Sequence, residues 1–403
     1  MDKKFLLNES KVFCMFPWVH LNVTPHGNVY PCCSSDYVSP LGNTKNESLK
    51  QIFNSTKLKE IRTNMLTEKE SDLCRFCYQH EKNGSSFRQY ANEQFQSYFD
   101  DIVPYTLEDG SVEHFKMRYM DIRFNNICNF KCRTCGSEFS SQWAAEDKKY
   151  NPNIKIFQHA TEDDSLLNEA LSHIDHLDLI YFGGGEPLLM DEHYVFLEQI
   201  IKQNKTDIRL RYNTNASTLK YKSNDVLDLW KHFSDVEVSV SLDHYGDRAE
   251  YIRNGTDWGL VESNLHKIRN TTSVKFSINT VLSIFNYVTL NEFYSYMMKS
   301  NLFRKDDYYN TLYQLLNPSF YSAQALPTEL KLIGKEKNLK LFETLQNLNY
   351  SRPEFVKEAI NFAESNDTWD SNKESFKFTC KSKDIIRNED FVKVFPELSM
   401  LYD

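Results

Sequence analysis

The sequence predicts an α/β protein whose centre is an open, partial barrel of six strand–helix repeats. From about residue 115 onward, short apolar stretches alternate with amphipathic helical stretches, which indicates parallel β/α units. Eight of the nine cysteines lie at or before residue 135, and the chain beyond about residue 323 is polar and mostly helical. We therefore expect a small cysteine-rich domain over 1–115, the barrel over 116–322 and a helical extension over 323–403.

The composition limits the classes of function. The chain has 403 residues, 40% of them hydrophobic, which is enough for more than one packed unit. Its net charge of -9 argues against nucleic acid as a partner. No apolar run approaches the ~18 residues that span a bilayer, and the first residues do not continue into the apolar core of a signal peptide. We expect a cytoplasmic protein with no membrane partner.

The barrel elements follow from hydrophobic periodicity. The predicted strands are 120–124, 177–182, 208–212, 236–240, 274–280 and 311–316. The main helices between them are predicted over 194–205, 219–233, 258–269 and 290–299. In parallel sheets of this kind the chemistry gathers at the carboxyl ends of the strands.

The cysteine-rich segment begins with strand-like alternation over 12–33, interrupted by the turn-forming run 25–28. This pattern indicates a hairpin. Apolar residues at helical intervals over 48–66 then predict one or two amphipathic helices, which lead the chain to Cys74 and Cys77.

The most specific motif is Cys128-x3-Cys132-x2-Cys135, directly after the first barrel strand. Three thiolates on one short loop can hold three irons of a 4Fe-4S cluster, which leaves the fourth iron open to a substrate or cofactor. A zinc knuckle or buried thiols are the alternatives. Structural zinc sites, however, usually have four ligands in paired CxxC spacing.

The second barrel strand ends in a glycine run, Gly183-Gly184-Gly185, followed by Glu186 and Pro187. Consecutive glycines let a ligand approach backbone polar groups, because no Cβ atom stands in the way. Alone, this run would be a strand-ending turn. Beside the cysteine loop, it predicts a ligand site.

These motifs occur in the order found in the radical S-adenosylmethionine (radical SAM) superfamily, which the chain resembles over most of its length. The order is CxxxCxxC, GGGEP, Asn213-Thr214-Asn215 and Ser241-Leu242-Asp243, each after a successive strand. The resemblance implies a partial (β/α)6, TIM-like barrel. It also implies that the three loop cysteines hold a 4Fe-4S cluster whose open iron chelates the methionine amino and carboxylate groups of SAM.

The resemblance carries further residues over by position. Those matched to SAM contacts are Gly183, Gly184, Gly185, Glu186, Asn215, Ser241, Arg253, Asn279 and Val281. A strand-end Asn or Ser caps a following helix at least as often as it binds a ligand. One departure is Thr134, where many members have an aromatic residue near adenine; Phe130 is the candidate replacement.

A second constellation comprises Cys14, Cys32, Cys74 and Cys77, four thiolates that can hold an iron–sulfur cluster or a zinc ion. The spacing alone does not separate the metals. The segment resembles the SPASM and twitch auxiliary-cluster domains of the same superfamily through its Pro-Trp pair, its Gly-x4-Cys hairpin, its Leu-Gly-Asn run and its SLKQIF helix. It departs from them by preceding the barrel and by having cysteines for one cluster only, which favours the twitch type with one auxiliary cluster, expected to be 4Fe-4S. Cys33 could replace Cys32.

Cys380 is isolated in the sequence. A lone cysteine is usually a small buried hydrophobic residue. The alternative is a catalytic role as hydrogen-atom donor to a substrate radical, as in radical SAM epimerases.

The resemblance implies an enzyme that reductively cleaves SAM to a 5'-deoxyadenosyl radical and abstracts a hydrogen from a substrate. Its partners would be SAM, an electron donor such as flavodoxin or ferredoxin, and a substrate. The substrate is a peptide or protein that is oxidised, crosslinked or epimerised, or a small molecule such as a sugar or nucleotide. Only thirteen residues precede Cys14, too few for a leader-binding domain, which weakens the ribosomal-peptide hypothesis.

A different class is a non-catalytic iron–sulfur or zinc protein that serves electron transfer or acts as an adaptor. The glycine run and the Ser241-Leu242-Asp243 segment argue against this class, because an electron carrier needs no SAM pocket.

Overall fold

The computed structural model describes residues 2–82, 86–307 and 310–402. The strands in these residues are β1 (His20–Val23), β2 (Asn28–Tyr30), β3 (Gly42–Asn43), β4 (Tyr119–Ile122), β5 (Lys131–Cys132), β6 (Leu179–Phe182), β7 (Arg209–Thr214), β8 (Lys220–Tyr221), β9 (Asn224–Asp225), β10 (Val236–Ser241), β11 (Arg253–Asn254), β12 (Val274–Leu282) and β13 (Asn310–Gln314).

The helices of the first half are α1 (Phe16–Val19), α2 (Leu49–Ile52), α3 (Thr56–Leu66), α4 (Arg75–Lys82), α5 (Phe87–Phe95), α6 (Phe99–Ile102), α7 (Ser141–Asp147), α8 (Ser165–Leu171) and α9 (Asp191–Lys202). Those of the second half are α10 (Val226–Trp230), α11 (Gly246–Ile252), α12 (Trp258–Arg269), α13 (Leu290–Lys299), α14 (Thr328–Asn347), α15 (Phe355–Glu364), α16 (Trp369–Arg387) and α17 (Phe391–Val394).

The chain forms two compact units. The first comprises Met1–Ile127, Lys155–Arg211 and His232–Asp235, and the second comprises Cys128–Ile154, Tyr212–Lys231 and Val236–Asp403. These units differ from the predicted segments 1–115, 116–322 and 323–403, which remain a prediction about domain organisation. Strand β7 begins in the first unit and ends in the second.

In the first unit, the N-terminal hairpin joins the sheet of the first predicted barrel strand. β1 pairs in parallel with β4, from His20 opposite Tyr119 to Val23 opposite Ile122, and β4 pairs in parallel with β6. On its other side β1 pairs antiparallel with β2 across a turn in which Gly27 has φ +85°. The cysteine-rich segment therefore covers an edge of β4 that would otherwise expose unpaired backbone groups.

The two faces of β1, β4 and β6 differ in character, because side chains alternate along a strand. One face is apolar and carries Leu21, Val23, Met120, Ile122, Ile180 and Phe182. The opposite face is polar and aromatic and carries His20, Asn22, Tyr119, Asp121 and Tyr181. β1 and β4 are buried along their whole length.

In the second unit, β10, β12 and β13 are consecutive parallel neighbours, with Ser241 opposite Asn279 and Val281 opposite Tyr313. Helices α12 and α13 have the predicted bounds. The chain beyond 323 is helical, as expected, and is dominated by α14, α15 and α16.

Two local predictions were wrong. Residues 219–233 do not form one helix, because the chain turns at Lys222, where φ is +54°, and pairs β8 with β9 before the short helix α10. Within 12–33, the strand-like alternation is interrupted by α1, in which Pro17 occupies the first turn. Proline is favoured there because the first turn needs no intrahelical N–H donor.

The mixed α/β class with parallel strands, a cysteine-rich N-terminal segment and a helical extension is confirmed. Within the ranges that the structure describes, no helix combines the length and the apolar character that a membrane crossing requires.

Candidate functional site

The four N-terminal cysteines meet in one pocket of the first unit. Cys14 lies just before α1, Cys32 follows β2, and Cys74 and Cys77 lie at the start of α4. The pocket is lined by Val12, Cys14, Phe16, Pro17, Pro31, Cys32, Met65, Cys74, Cys77, Tyr78, Phe87 and Arg88. Side chains 60 residues apart in sequence thus share one cavity, as the spacing predicted.

A metal that binds in this pocket has to displace protons from its thiols. Burial raises the pKa of Cys14 and of Cys32 far above the ordinary range, and raises that of Cys74 to about 12. Repulsion between neighbouring thiolates raises these pKa values further. Without a metal the thiols would be protonated at neutral pH, so metal binding would release protons there.

Four thiols around one pocket can hold an iron–sulfur cluster or a single zinc ion, and the two differ in how far apart the sulfurs stand. Among the described residues, no group of three His, Cys, Asp or Glu side chains is arranged to hold one metal ion. Four thiolates on one zinc stand about 3.8 Å apart, as follows from a Zn–S bond of about 2.3 Å. In an iron–sulfur cluster each thiolate binds a different iron, so the sulfurs stand further apart around a larger centre.

Cys33 faces a different environment from Cys32. It does not line the pocket, and its thiol interacts with Asp121 and Arg123. Burial, followed by the nearby Asp121 charge, raises the pKa of Cys33 to about 11. The Tyr37 hydroxyl donates to the Cys33 carbonyl at 3.3 Å.

Sequence reasoning missed a polar face of the first unit, which lies next to Cys33. Asn22 Nδ2 donates to Asp121 Oδ2 at 2.7 Å, and the Tyr37 hydroxyl donates to Asn22 Oδ1 at 3.1 Å. Among the described residues, His20 Nε2 is buried without a hydrogen-bond partner, and Asp121 Oδ1 is paired instead with Arg123, whose Nε lies 3.5 Å away. In the sequence, polar residues alternate with apolar ones along β1 and β4, and this alternation could have revealed the polar face.

The glycine run packs closely against the end of the first barrel strand. A Cβ atom at Gly185 would collide with the carbonyl oxygen of Ile127, the residue before Cys128. The Glu186 N–H donates to that same carbonyl at 2.7 Å. Gly184 has φ +117°, a conformation that L side chains rarely adopt, and Glu186 is buried with Oε1 accepting from the Leu188 N–H. These glycines are therefore required by close approach as well as by any ligand.

In the second unit, the Cys128–Cys135 loop is held by side chains that bond its carbonyl groups. Strand β5 of the loop pairs with β11, placing Cys132 opposite Arg253. The carbonyls of three consecutive residues accept hydrogen bonds: Phe130 from Ser140 (2.6 Å), Lys131 from Arg387 (3.0 Å) and Cys132 from Trp143 (2.7 Å). Cys135 is exposed, whereas Cys128 and Cys132 are partly buried. The loop is ordered yet open on its cysteine side.

Arg253 connects this loop to the carboxyl end of β10. Its Nη1 lies 3.9 Å from Cys132 Sγ, and its Nε and Nη2 lie 2.9 and 3.1 Å from the two oxygens of Asp243. Asp243 Oδ1 also accepts from the Val281 N–H at 2.8 Å. The Val281 N–H donates to Asp243, and the Val281 carbonyl accepts from Asn286. A ligand at this position would therefore contact mainly the Val281 side chain.

The other predicted contacts lie at the same ends of the strands. Asn279 Oδ1 is buried and has no hydrogen-bond partner among the residues described, so it could accept one from a ligand. Ser241 lies beside it on β10. The Asn215 amide instead donates to Asn129 and accepts from the Ser217 N–H, which is the local structural role that competes with ligand binding.

Cys380 is fully buried on α16, and its thiol donates to the Tyr321 hydroxyl at 3.7 Å. Burial raises its pKa to about 12. These surroundings suit Cys380 as a small buried hydrophobic residue. The alternative role of Cys380, as a hydrogen-atom donor to a substrate radical, stays a prediction.

The loop cysteines and a pocket of buried thiols on one α/β chain define the class: an iron–sulfur protein with an open loop at the carboxyl ends of parallel strands. The family model "Radical SAM superfamily" matches residues 122–297, and "Iron-sulfur cluster-binding domain" (SPASM) matches residues 14–78. The chain therefore carries a radical SAM domain with a SPASM domain ahead of it. These two domains imply three cofactors: a SAM-binding 4Fe-4S cluster, an auxiliary iron–sulfur cluster and SAM.

Individual relatives are distant. The GTP 3',8-cyclase of Campylobacter lari (strain RM2100 / D67 / ATCC BAA-1060) is 28% identical over 126 residues, 31% of this chain and 34% of that protein. The structure of anSMEcpe with bound AdoMet and Cp18Cys peptide is 18% identical with a TM-score of 0.39, over 55% of this chain and 58% of that one. Streptococcus suis SuiB is 11% identical with a TM-score of 0.37, over 82% of this chain and 69% of that one. The chain thus spans about a third of the curated relative and over half of anSMEcpe.

Proposed function

We propose that this protein is a radical SAM enzyme that abstracts a hydrogen atom from a peptide or protein substrate. The observation that carries the proposal is Arg253, which reaches both Cys132 of the open loop and Asp243 at the end of β10. One side chain thereby joins the proposed cluster loop to the proposed SAM site.

Cys128, Cys132 and Cys135 would hold the SAM-binding cluster. Three ligands on an exposed loop leave one iron without a protein ligand. When bound, this cluster and SAM supply one-electron cleavage of SAM to methionine and a 5'-deoxyadenosyl radical. Cys14, Cys32, Cys74 and Cys77 would hold the auxiliary cluster in the first unit.

The chain's own residues would orient SAM. Arg253 is the cation within the second unit that can receive the SAM carboxylate, and Asp243 holds its guanidinium in place. The unpartnered Asn279 Oδ1 would accept a hydrogen bond from a ribose hydroxyl or the adenine amine, with Ser241 alongside. Gly183, Gly184, Gly185 and Glu186, in the first unit, stay predictions for the SAM amino group that rest on their motif alone.

We place the substrate beside Tyr37, the exposed member of the polar face in the first unit, since Asn22 and Asp121 are buried beneath it. A buried acceptor without a hydrogen-bond partner costs free energy unless a ligand supplies a donor, and on this face that acceptor is His20 Nε2, since Asp121 Oδ1 lies 3.5 Å from Arg123 Nε. A substrate with N–H groups, such as a peptide, would supply that donor. Cys380 would act as hydrogen-atom donor only if the reaction is an epimerisation.

The test is anaerobic reconstitution with iron and sulfide, addition of SAM and dithionite, and measurement of 5'-deoxyadenosine. Wild type should form it, and the Cys128→Ala/Cys132→Ala/Cys135→Ala variant should not, although it keeps the auxiliary cluster. No deoxyadenosine from protein with a loaded loop cluster would contradict the proposal and favour a non-catalytic iron–sulfur protein.

The substrate class has its own assay. Random peptide pools should raise deoxyadenosine formation above the rate with SAM alone, whereas GTP and nucleotide sugars should not. Stimulation by the small molecules and not by the peptides would replace the peptide proposal with a small-molecule one.

A further inference from the structure

Arg133 lies between the second and third cysteines of the loop, and its side chain has no exposed surface. It donates to Asp384 and to Glu389, each at 2.6 Å, and its guanidinium lies 3.7 Å from the centre of the Tyr251 ring. A buried arginine is costly unless it is paired and hydrogen-bonded, as this one is.

The two carboxylates are themselves held in place. Asp384, on α16, accepts hydrogen bonds from the hydroxyls of Tyr251 and Tyr402, each at 2.8 Å. Glu389 accepts from Asn254 Nδ2 at 2.8 Å. Because these partners fix both carboxylates, the position of Arg133 is determined by a preformed acceptor pair.

The same helix reaches the loop at a second point. Arg387 donates to the Lys131 carbonyl, and both Arg387 and Lys383 pair with Glu146 of α7. Although burial opposes it, these hydrogen bonds hold the pKa of Glu146 at about 2. Lys383 and Arg387 also lie over the ring of Trp143, whose N–H binds the Cys132 carbonyl.

We propose that Arg133 is a positioning residue for the cluster loop and that residues 383–389, the last turn of α16 and the two residues after it, hold the loop in place. The loop's three thiolates must converge on one centre, and groups around a metal site orient its ligands. The C-terminal extension would then be part of the machinery that keeps the cluster bound with its open iron accessible. This inference rests on the proposed ligand role of the loop cysteines.

The test compares Arg133→Gln with Arg248→Gln. Arg248 is a matched control because it also bridges two carboxylates, Glu292 and Glu397, each at 3.0 Å in the same unit, but does not contact the loop. Arg133→Lys keeps the charge and can reach only one of the two carboxylates well, so it provides a milder variant that should fold.

The readouts are iron and sulfide content, the thermal midpoint and the electron paramagnetic resonance spectrum of the reduced protein with and without SAM. Only a cluster with an open iron should change its spectrum when SAM is added. We expect Arg133→Gln to lose at least half of this SAM-dependent change, Arg133→Lys to lose less, and Arg248→Gln to match wild type.

A wild-type SAM-dependent spectrum in Arg133→Gln would overturn the inference. So would an equal loss in Arg248→Gln, since that would reflect general destabilisation. If wild type itself shows no SAM-dependent change, the proposed function fails first, which distinguishes the two outcomes.

Discussion

At the scale of single residues, neighbouring side chains with the same chemistry have different surroundings. Cys32 lines the pocket of buried thiols, whereas Cys33 faces Asp121 and Arg123. Cys32 and Cys33 are adjacent in the turn after β2 yet point to different surroundings, so we expect only Cys32 to act as a ligand with the other pocket thiols.

This difference predicts the outcome of a pair of substitutions. Cys32→Ala should lose most of the auxiliary-cluster iron, because it removes one of the four pocket thiolates. Cys33→Ala should keep that iron, since its thiol lies outside the pocket wall. Iron and sulfide per chain after anaerobic reconstitution check both, and equal losses in the two variants would refute the assignment.

At the scale of elements, the end of β6 depends on contacts that its own sequence only partly reveals. The glycine run adjoins the carbonyl of Ile127, which accepts the Glu186 N–H. The backbone at Ile127 therefore leaves no room for a side chain at Gly185.

Gly185→Ala should therefore lower the thermal midpoint by several degrees and reduce deoxyadenosine formation at least tenfold, because its Cβ atom collides with the Ile127 carbonyl. Gly259→Ala is the matched control. Gly259 lies in α12 with only an ordinary contact to Asp257, and alanine favours a helix over glycine by roughly 1 kcal/mol. We expect a slightly higher midpoint and unchanged activity for the control. Calorimetry and the deoxyadenosine assay decide, and a neutral Gly185→Ala would contradict the close-contact explanation.

At the scale of the whole molecule, three of the four buried histidines in the described residues have strongly lowered pKa values, which makes stability dependent on pH. Burial lowers the pKa of His20 to about 4 and those of His193 and His244 to about 3. The unfolded chain binds protons near pH 6.5, whereas the folded chain does not, so the free energy of unfolding falls as the pH drops below 6.5.

Between pH 7.5 and 5.5 each of these histidines should cost about 1.4 kcal/mol, roughly 4 kcal/mol in total. Urea unfolding at the two pH values measures the change. His193→Phe should reduce the loss by about a third, because burial alone lowers the pKa of His193. Cluster absorbance in the same samples separates iron loss from unfolding. An unfolding free energy that does not change over this range would show that the histidines are not buried in their neutral form.

Predictions from the sequence agree with the structure where the interacting residues are close along the chain, and fail or are missing where they are far apart. Helices α12 and α13 matched their predicted bounds because the apolar period is local. The predicted helix over 219–233 was wrong because the turn at Lys222 adopts a positive φ that hydrophobic periodicity does not encode. The Arg133–Asp384 pair joins residues 251 positions apart, and no local pattern signals it.

The sequence by itself determined the family and the candidate ligands, because cysteine spacing and the order of motifs after successive strands depend only on neighbours along the chain. It also determined the α/β alternation. Only the tertiary structure decided that Cys32 and not Cys33 lines the pocket, that Asn279 keeps an unpartnered acceptor, and that Asp384 and Arg387 of α16 bond the Cys128–Cys135 loop. The physical reason is that burial and pairing of polar groups depend on which distant segments pack together, and that is set by the whole fold.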